Sequence, residues 1–302
     1  MRVPGFHGLR VSTLAMRSVR DFLADNMLTY AAALAYHVLF AIFPFIIFLV
    51  ALLGFLNLSD FFDWLLEQAQ YVVPEQAMDS VSRVIAELRR EDSGQILSFG
   101  IILALWSASV GVRSTMHALN MAYDVDESRP AWKLYPLSII YTIGLAAMLI
   151  LAIGLMMVGP RLMTWLAALI GFDYVVVMFW TWLRWPVAVY LLMLATAIVY
   201  YVAPNVEQPF RLITPGSVLS VIIWIVASLG FGYYVRNFVD YSVTYGSFGA
   251  VIVLLLYFYI SAAVLLFGAE VNAVIARHAG EVRQPTQADE RQAARGRPPH
   301  GA

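Results

Sequence analysis

The 302-residue chain contains no cysteine, a single lysine at Lys133, and only 13% charged residues. The first absence excludes disulfide frameworks, thiolate metal sites and cysteine nucleophiles. The other two remove the basic stripe expected of nucleic-acid enzymes, because the 19 Lys and Arg residues are scattered and the net charge is −1. No GxxxxGK[ST] phosphate loop occurs, so ATP hydrolysis by this chain is not expected. The five histidines lie far apart, and no two stand at i, i+4. Asp60, Asp63 and Glu67 share a helical face but read as the wet side of an amphipathic helix. No cofactor, metal or nucleic-acid partner is therefore expected.

What fills the chain is apolar: 61% of residues are hydrophobic and the mean hydropathy is +0.74, values of a polytopic membrane protein. Six runs are long enough to cross about 30 Å of hydrocarbon at roughly 1.5 Å per residue. They are Thr29–Leu56, Ser93–Val112, Leu134–Pro160, Trp185–Ala203, Leu212–Val235 and Ser247–Gly268, the last being 22 residues without a charge. The expected fold is all-α, with six transmembrane helices over 29–276. Amphipathic interfacial helices are expected between spans one and two, within Asn57–Gly94, and between spans three and four. In the second of these, Asp173 at the centre of Leu162–Leu183 argues for two outer half-helices, since an acid at mid-bilayer costs about 2.5 to 3.5 kcal/mol.

Residues 1–28 place Arg10, Arg17 and Asp21 on one helical face and Val11, Leu14, Ser18, Phe22 and Leu23 on the other, as an interfacial helix does. No small-residue cleavage site ends a short apolar region there, so a signal peptide is not expected. Residues 277–302 are polar and rich in Arg, Gln, Pro and Gly, and predict a disordered tail. Thirteen Arg and Lys residues fall on the side holding both termini against six on the other, which predicts cytoplasmic termini.

Four groups of polar residues stand out. Tyr30, His37 and Pro44 recur every seven residues on a helix whose AAALA stretch favours close packing. Arg113, His117, Asn120 and Asp124 are spaced four, three and four apart, so they form either a wet face or a stripe that recognises an anionic headgroup. Asn205 closes the YYVAPN exit of span four. Glu270 and Asn272 follow the 22 uncharged residues of span six. There Glu270 is either hydrated at the interface or held inside, where it needs a proton, a cation or a cationic partner. Lines of small residues, Gly246 and Gly249 in span six and Ser217, Ser220, Ala227, Ser228, Gly230 and Gly232 in span five, predict close helix contacts.

AAALAYHVLFAIFP at Ala31–Pro44, ALNMAYDVDESRP at Ala118–Pro130, LRWP at Leu183–Pro186, YYVAPN at Tyr200–Asn205 and the stretch Tyr241–Ala273 together resemble the YihY and virulence-factor BrkB family of bacterial inner-membrane proteins, also labelled ribonuclease BN-like. The resemblance covers roughly Asp25–Arg277. It implies six helices with both ends in the cytoplasm and a role in moving lipids or small solutes, and it brings no catalytic residues. At His37 the chain departs from the second Tyr expected after Tyr36. The ribonuclease label finds no nuclease site in this sequence.

Two function classes follow. A transporter or exporter of a lipid or small solute would use proline-broken helices, small-residue faces and ionisable span ends. A membrane scaffold or envelope-assembly factor would use the same residues only to pack and cap, with membrane lipids, a second copy or an envelope protein as partner. An intramembrane enzyme is the third and least supported class. Glu270, Asn272, Tyr30, His37, Arg113, His117, Asn120, Asp124 and Asn205 are the candidate binding residues, and none is assigned a catalytic role.

Overall fold

With no water in a bilayer core to satisfy backbone N–H and C=O groups, an uncharged run can cross only as a helix or within a closed barrel. The computed structural model describes residues 10–55, 93–148, 151, 173–206, 208, 211–238 and 247–280. Among them the ordered elements are seven α-helices. These are α1 (Val11–Ala24), α2 (Met27–Phe55), α3 (Ser93–Ala122), α4 (131–148), α5 (Asp173–Val202), α6 (Pro215–Phe238) and α7 (Ser247–Ala279). Five of them, α2, α3, α5, α6 and α7, are long and apolar enough to cross a membrane. The predicted third span is helical over 131–148. The remainder of that span, the expected interfacial helices between Asn57 and Glu91 and between Arg161 and Gly171, the position Gly246, and the tail beyond Gly280 lie outside the described residues.

Three boundaries differ from the sequence reading. Residues 173–183 do not form a separate half-helix but the first turns of α5, which runs unbroken through Pro186. The break between α1 and α2 falls at Asp25 and Asn26, and α2 already begins at Met27. At the far end α7 continues to Ala279, so Arg277 belongs to the helix and not to a tail.

The well-packed part of the bundle lies at one end, with α7 at its centre against α1, α2, α3 and α6. Met27, Ala31 and Leu34 of α2, Leu119 and Ala122 of α3, and Leu266, Ala269 and Ala273 of α7 form its core. Helices α2 and α3 come close, with Ala31 and Ala35 of α2 buried and a Cβ built on Gly111 lying 3.7 Å from the Cβ of His37. Part of the apolar face of the first helix packs on protein. Leu14 packs on Val271, Val274 and Ile275, and the Phe22 ring meets Phe267 edge-on with centroids 5.7 Å apart. Val11 and Leu23, grouped with that face by periodicity, are exposed instead.

The small-residue line of α6 is used in part. A Cβ on Gly216 would strike the Gly268 carbonyl oxygen and the Asn272 side chain, and one on Gly268 would strike Ser220 Oγ, Tyr200 Oη and the Gly216 carbonyl. These two glycines are what let the backbones of α6 and α7 touch. Gly230 and Gly232 differ, for a Cβ on either meets nothing within 4 Å. Outward from the core, Ile102, Trp106, Trp182, Val226 and Leu229 are exposed, as residues facing lipid would be.

Candidate functional site

Two turns separate Glu270 from Arg277, so both project from one face of α7. Against that face the end of α1 presents Asp21 and Asp25, spaced i, i+4. Asp124 arrives from the end of α3. That helix closes with Asp124 N–H donating to the Met121 carbonyl (3.0 Å) and Val125 N–H to the Asn120 carbonyl (3.0 Å), a Schellman ending in which Asp124 takes the left-handed position with φ 54°. The turn carries its side chain to Arg277, whose Nη1 donates to Asp124 Oδ2 (2.8 Å) and to the Ala122 carbonyl (2.9 Å). Arg277 Nη2 donates to Asp21 Oδ2 at 2.7 Å.

Glu270 is the exception in this cluster. It is 0% exposed, neither carboxylate oxygen has a hydrogen-bond partner, and the nearest cation, Arg277 Nη2, stops 4.0 Å away. The hydrated alternative for this residue is thus replaced by the enclosed one. Asp25, at the end of α1, is the carboxyl that lies against it. Burial, followed by the negative charge of Asp124, holds the Asp25 carboxyl above the usual carboxylate range. Among the described residues no three His, Asp or Glu side chains converge as a metal site. Arg277 lies beyond the expected span, and its i+7 spacing from Glu270 is the sequence signal that places it on this face.

Asn120 and Asn205 do come together, in a knot that ties the α3–α4 and α5–α6 connections. Asn120 Oδ1 accepts from the Asn205 backbone N–H (2.7 Å), and its Nδ2 donates to Glu127 (2.9 Å). Glu127 accepts twice from Arg129 at 2.7 Å, and Arg129 reaches the Ala203 carbonyl at 3.0 Å. Asn205 Nδ2 donates to Ser128 Oγ at 2.7 Å. Burial acts to raise the Glu127 carboxyl, but the hydrogen bonds and charge of Arg129 outweigh it and the group stays below its ordinary range.

The helical stripe on α3 does not converge on one ligand. Arg113 Nη1 donates to Ser109 (3.0 Å) and Ser138 (2.9 Å), and its guanidinium lies 4.4 Å from the Tyr135 ring centroid, joining α3 to α4. His117 is exposed beside the Tyr30 ring, with centroids 5.7 Å apart. His37 lies against Gly111 and the Tyr36 ring. Asn272 caps α6: its Oδ1 accepts from Gly216 N–H (2.8 Å) and its Nδ2 donates to Thr214 Oγ1 (2.9 Å). Tyr200, which the YYVAPN motif contains but which was not singled out, is 1% exposed and ties Ser220 Oγ (2.8 Å) and the Leu265 carbonyl together. A narrow cleft of about 40 Å³ opens beside it, lined by Tyr123, Gln208, Arg211, Thr214 and Asn272.

The sequence profile of the family described as Virulence factor BrkB matches residues 18–293. A protein of Bacillus subtilis strain 168 described as ribonuclease-like, YfkH, is 36% identical over 245 residues, covering 81% of this chain and 88% of its own length. A UPF0761 membrane protein of Chromohalobacter salexigens is 28% identical over 291 residues, 90% of this chain and 66% of its own. Another of Xanthomonas campestris is 26% identical over 259 residues, 83% of this chain and 57% of its own. The chain thus spans less than two thirds of these UPF0761 relatives. No solved structure matches. The motifs clustered at this end of the bundle, from the α2 alanines to Glu270 and Asn272, are carried by a chain that belongs to the virulence factor BrkB family.

Proposed function

We propose that this membrane protein is a transporter or exporter of a lipid or small solute, not driven by its own ATP hydrolysis. In this reading it crosses the bacterial inner membrane six times, with both termini in the cytoplasm. The observation that supports it is Glu270: a carboxyl group wholly enclosed in an apolar helix, without a hydrogen-bond partner, among Asp21, Asp25, Asp124 and a single Arg277. Packing alone does not call for such a group, because an apolar residue of its size would fill the same space without the desolvation penalty. Ionisable side chains kept inside membrane bundles serve ion and substrate pathways. The test compares lipids and exported metabolites of cells lacking the protein, cells producing it, and cells producing the Glu270→Gln variant at equal abundance. A compound that follows the wild-type protein but not the variant supports transport.

A second reading, the scaffold, is favoured by a different observation. Arg113, Asn120, Asn205 and Asn272 all bond within the protein, and the narrow cleft is lined by the end turns of α5, α6 and α7. Under that reading Glu270→Gln is silent in the same comparison, and cross-linking captures an envelope protein or a second copy. The ribonuclease-like description belongs to the Bacillus relative. The described residues of this chain supply no group of acids or histidines that would hold the metal for such chemistry.

A further inference from the structure

Glu270 and Asp25 approach each other as two acceptors, and two carboxylates cannot hydrogen-bond unless one carries a hydrogen. Among the described residues, the charged groups around the pair come from three helices. From α1 there is Asp21, from the end of α3 Asp124, and from α7 Arg277, with His278 beside it in the last turn. The titratable groups of α2 lie elsewhere: Tyr30 beside the His117 ring, His37 against Gly111, and Tyr36 exposed beside the Phe40 ring. Four carboxyls therefore surround one guanidinium, and that guanidinium already donates to Asp21 and Asp124 at 2.7 and 2.8 Å. The remaining two accept no hydrogen bond from it, Glu270 standing 4.0 Å away, and Glu270 is fully enclosed.

We propose that Asp25 and Glu270 hold one proton between them, and that Arg277 is the group that answers when the proton leaves. In the protonated state a single O–H···O⁻ bond satisfies both carboxyls, and Arg277 rests on Asp21 and Asp124. Loss of the proton breaks that O–H bond and delivers H⁺ to water through the partly exposed Asp25, with no change of oxidation state. Two like charges then face each other, and the guanidinium, whose Nη2 donates to Asp21 and stands 4.0 Å from Glu270, is drawn inward at the expense of its bonds to Asp21 and Asp124. Because Asp124 ends α3, Asp21 belongs to α1 and Arg277 to α7, the exchange moves three elements against one another. As a coupling device the pair rests on the transport reading; as a proton site it does not.

Infrared difference spectroscopy of the full chain in lipid nanodiscs, titrated from acid to alkaline pH, reads the proton directly as the carbonyl stretch of a protonated carboxyl group. Wild-type protein is expected to show this band at neutral pH and lose it as pH rises, and Glu270→Gln is expected to lack it. Asp25→Asn substitutes an amide donor for a competing acid. Its band should titrate at lower pH, with a tenfold or greater fall in proton affinity, about one pH unit. Absence of the band from wild-type protein at neutral pH overturns the proposal, as does its persistence in Glu270→Gln. An Asp25→Asn band that titrates like wild type overturns the sharing, leaving Glu270 protonated alone. If Glu270→Gln does not insert, the Asp25→Asn titration decides. A wild-type band that behaves as expected while Glu270→Gln still exports normally upholds the pair and sinks the transport reading. Absence of the band in a protein whose export depends on Glu270 does the reverse.

Discussion

Arg277 donates to Asp124 across 153 residues of chain at 2.8 Å, yet stops 4.0 Å short of Glu270, seven positions away on its own helix. One guanidinium thus hydrogen-bonds the mouth of the cluster and reaches its interior acid only at the outer limit of an ion pair. Arg277→Ala removes charge-assisted bonds to Asp21, Asp124 and the Ala122 carbonyl, and is expected to cost about 1.5 to 3 kcal/mol. Arg277→Lys should recover only part, since a point charge cannot reproduce a planar fork. At the other partner, Asp124→Asn keeps a residue that tolerates φ 54° and should cost less than Asp124→Ala, which adds backbone strain to the lost pair. Thermal unfolding of the four variants checks this order.

The α6–α7 contact makes a paired prediction. Gly268→Ala and Gly216→Ala each drive a methyl group into backbone, and are expected to destabilise by about 1 to 3 kcal/mol. Gly230→Ala and Gly232→Ala meet open space and should be neutral or slightly stabilising through helix propensity. Equal effects at all four positions would contradict the packing described.

Stability should depend on pH in two opposite ways. The Asp25 carboxyl is held above its ordinary value, chiefly by burial, so the folded state binds its proton more tightly than the unfolded chain does. Its contribution is full below the usual value of about 3.9 and is lost as pH rises through the raised one. Burial pushes Glu127 up, but Arg129 wins and holds it down, so its contribution is present above the usual value of about 4.3 and is lost as pH falls through the lowered one. Melting temperature against pH should therefore lose part of its alkaline-side slope in Asp25→Asn and part of its acid-side slope in Glu127→Gln.

Much of the fold was legible because a bilayer allows few alternatives. Runs such as Ser247–Gly268 must be helical, and α3 runs past its uncharged segment as its pattern suggests. Asp173 misled because a window centred on an acid looks like a failed span, whereas residues 173–183 run on into span four as one helix. Depth was the illegible quantity. Nothing in the spacing of Glu270 tells whether water or Asp25 lies beside it, since Asp25 arrives from a different helix. The α3 stripe had the same weakness: one helical face was visible, but not that Ser138, Tyr30, Glu127 and Arg277 each claim a different member of it.

Orientation can be read with single cysteines, because the native chain has none. Asp126 is exposed between α3 and α4, and its side chain is a better site than Ser128, whose hydroxyl accepts from Asn205. Cysteine at Ser80 is expected to react with an impermeant thiol reagent in intact cells, and cysteines at Asp126 and Thr286 only after lysis. The reverse pattern would invert the proposed topology.

The most direct test of a working role for Glu270 is the export or lipid profile of cells carrying Glu270→Gln, a change that keeps size and hydrogen-bonding capacity but cannot titrate. The variant is expected to accumulate in the membrane like wild type and to leave the profile indistinguishable from that of cells lacking the protein, at every pH tried. A Glu270→Gln protein that restores the wild-type profile with unchanged pH dependence would contradict that account and leave the residue as a polar element of a packed bundle.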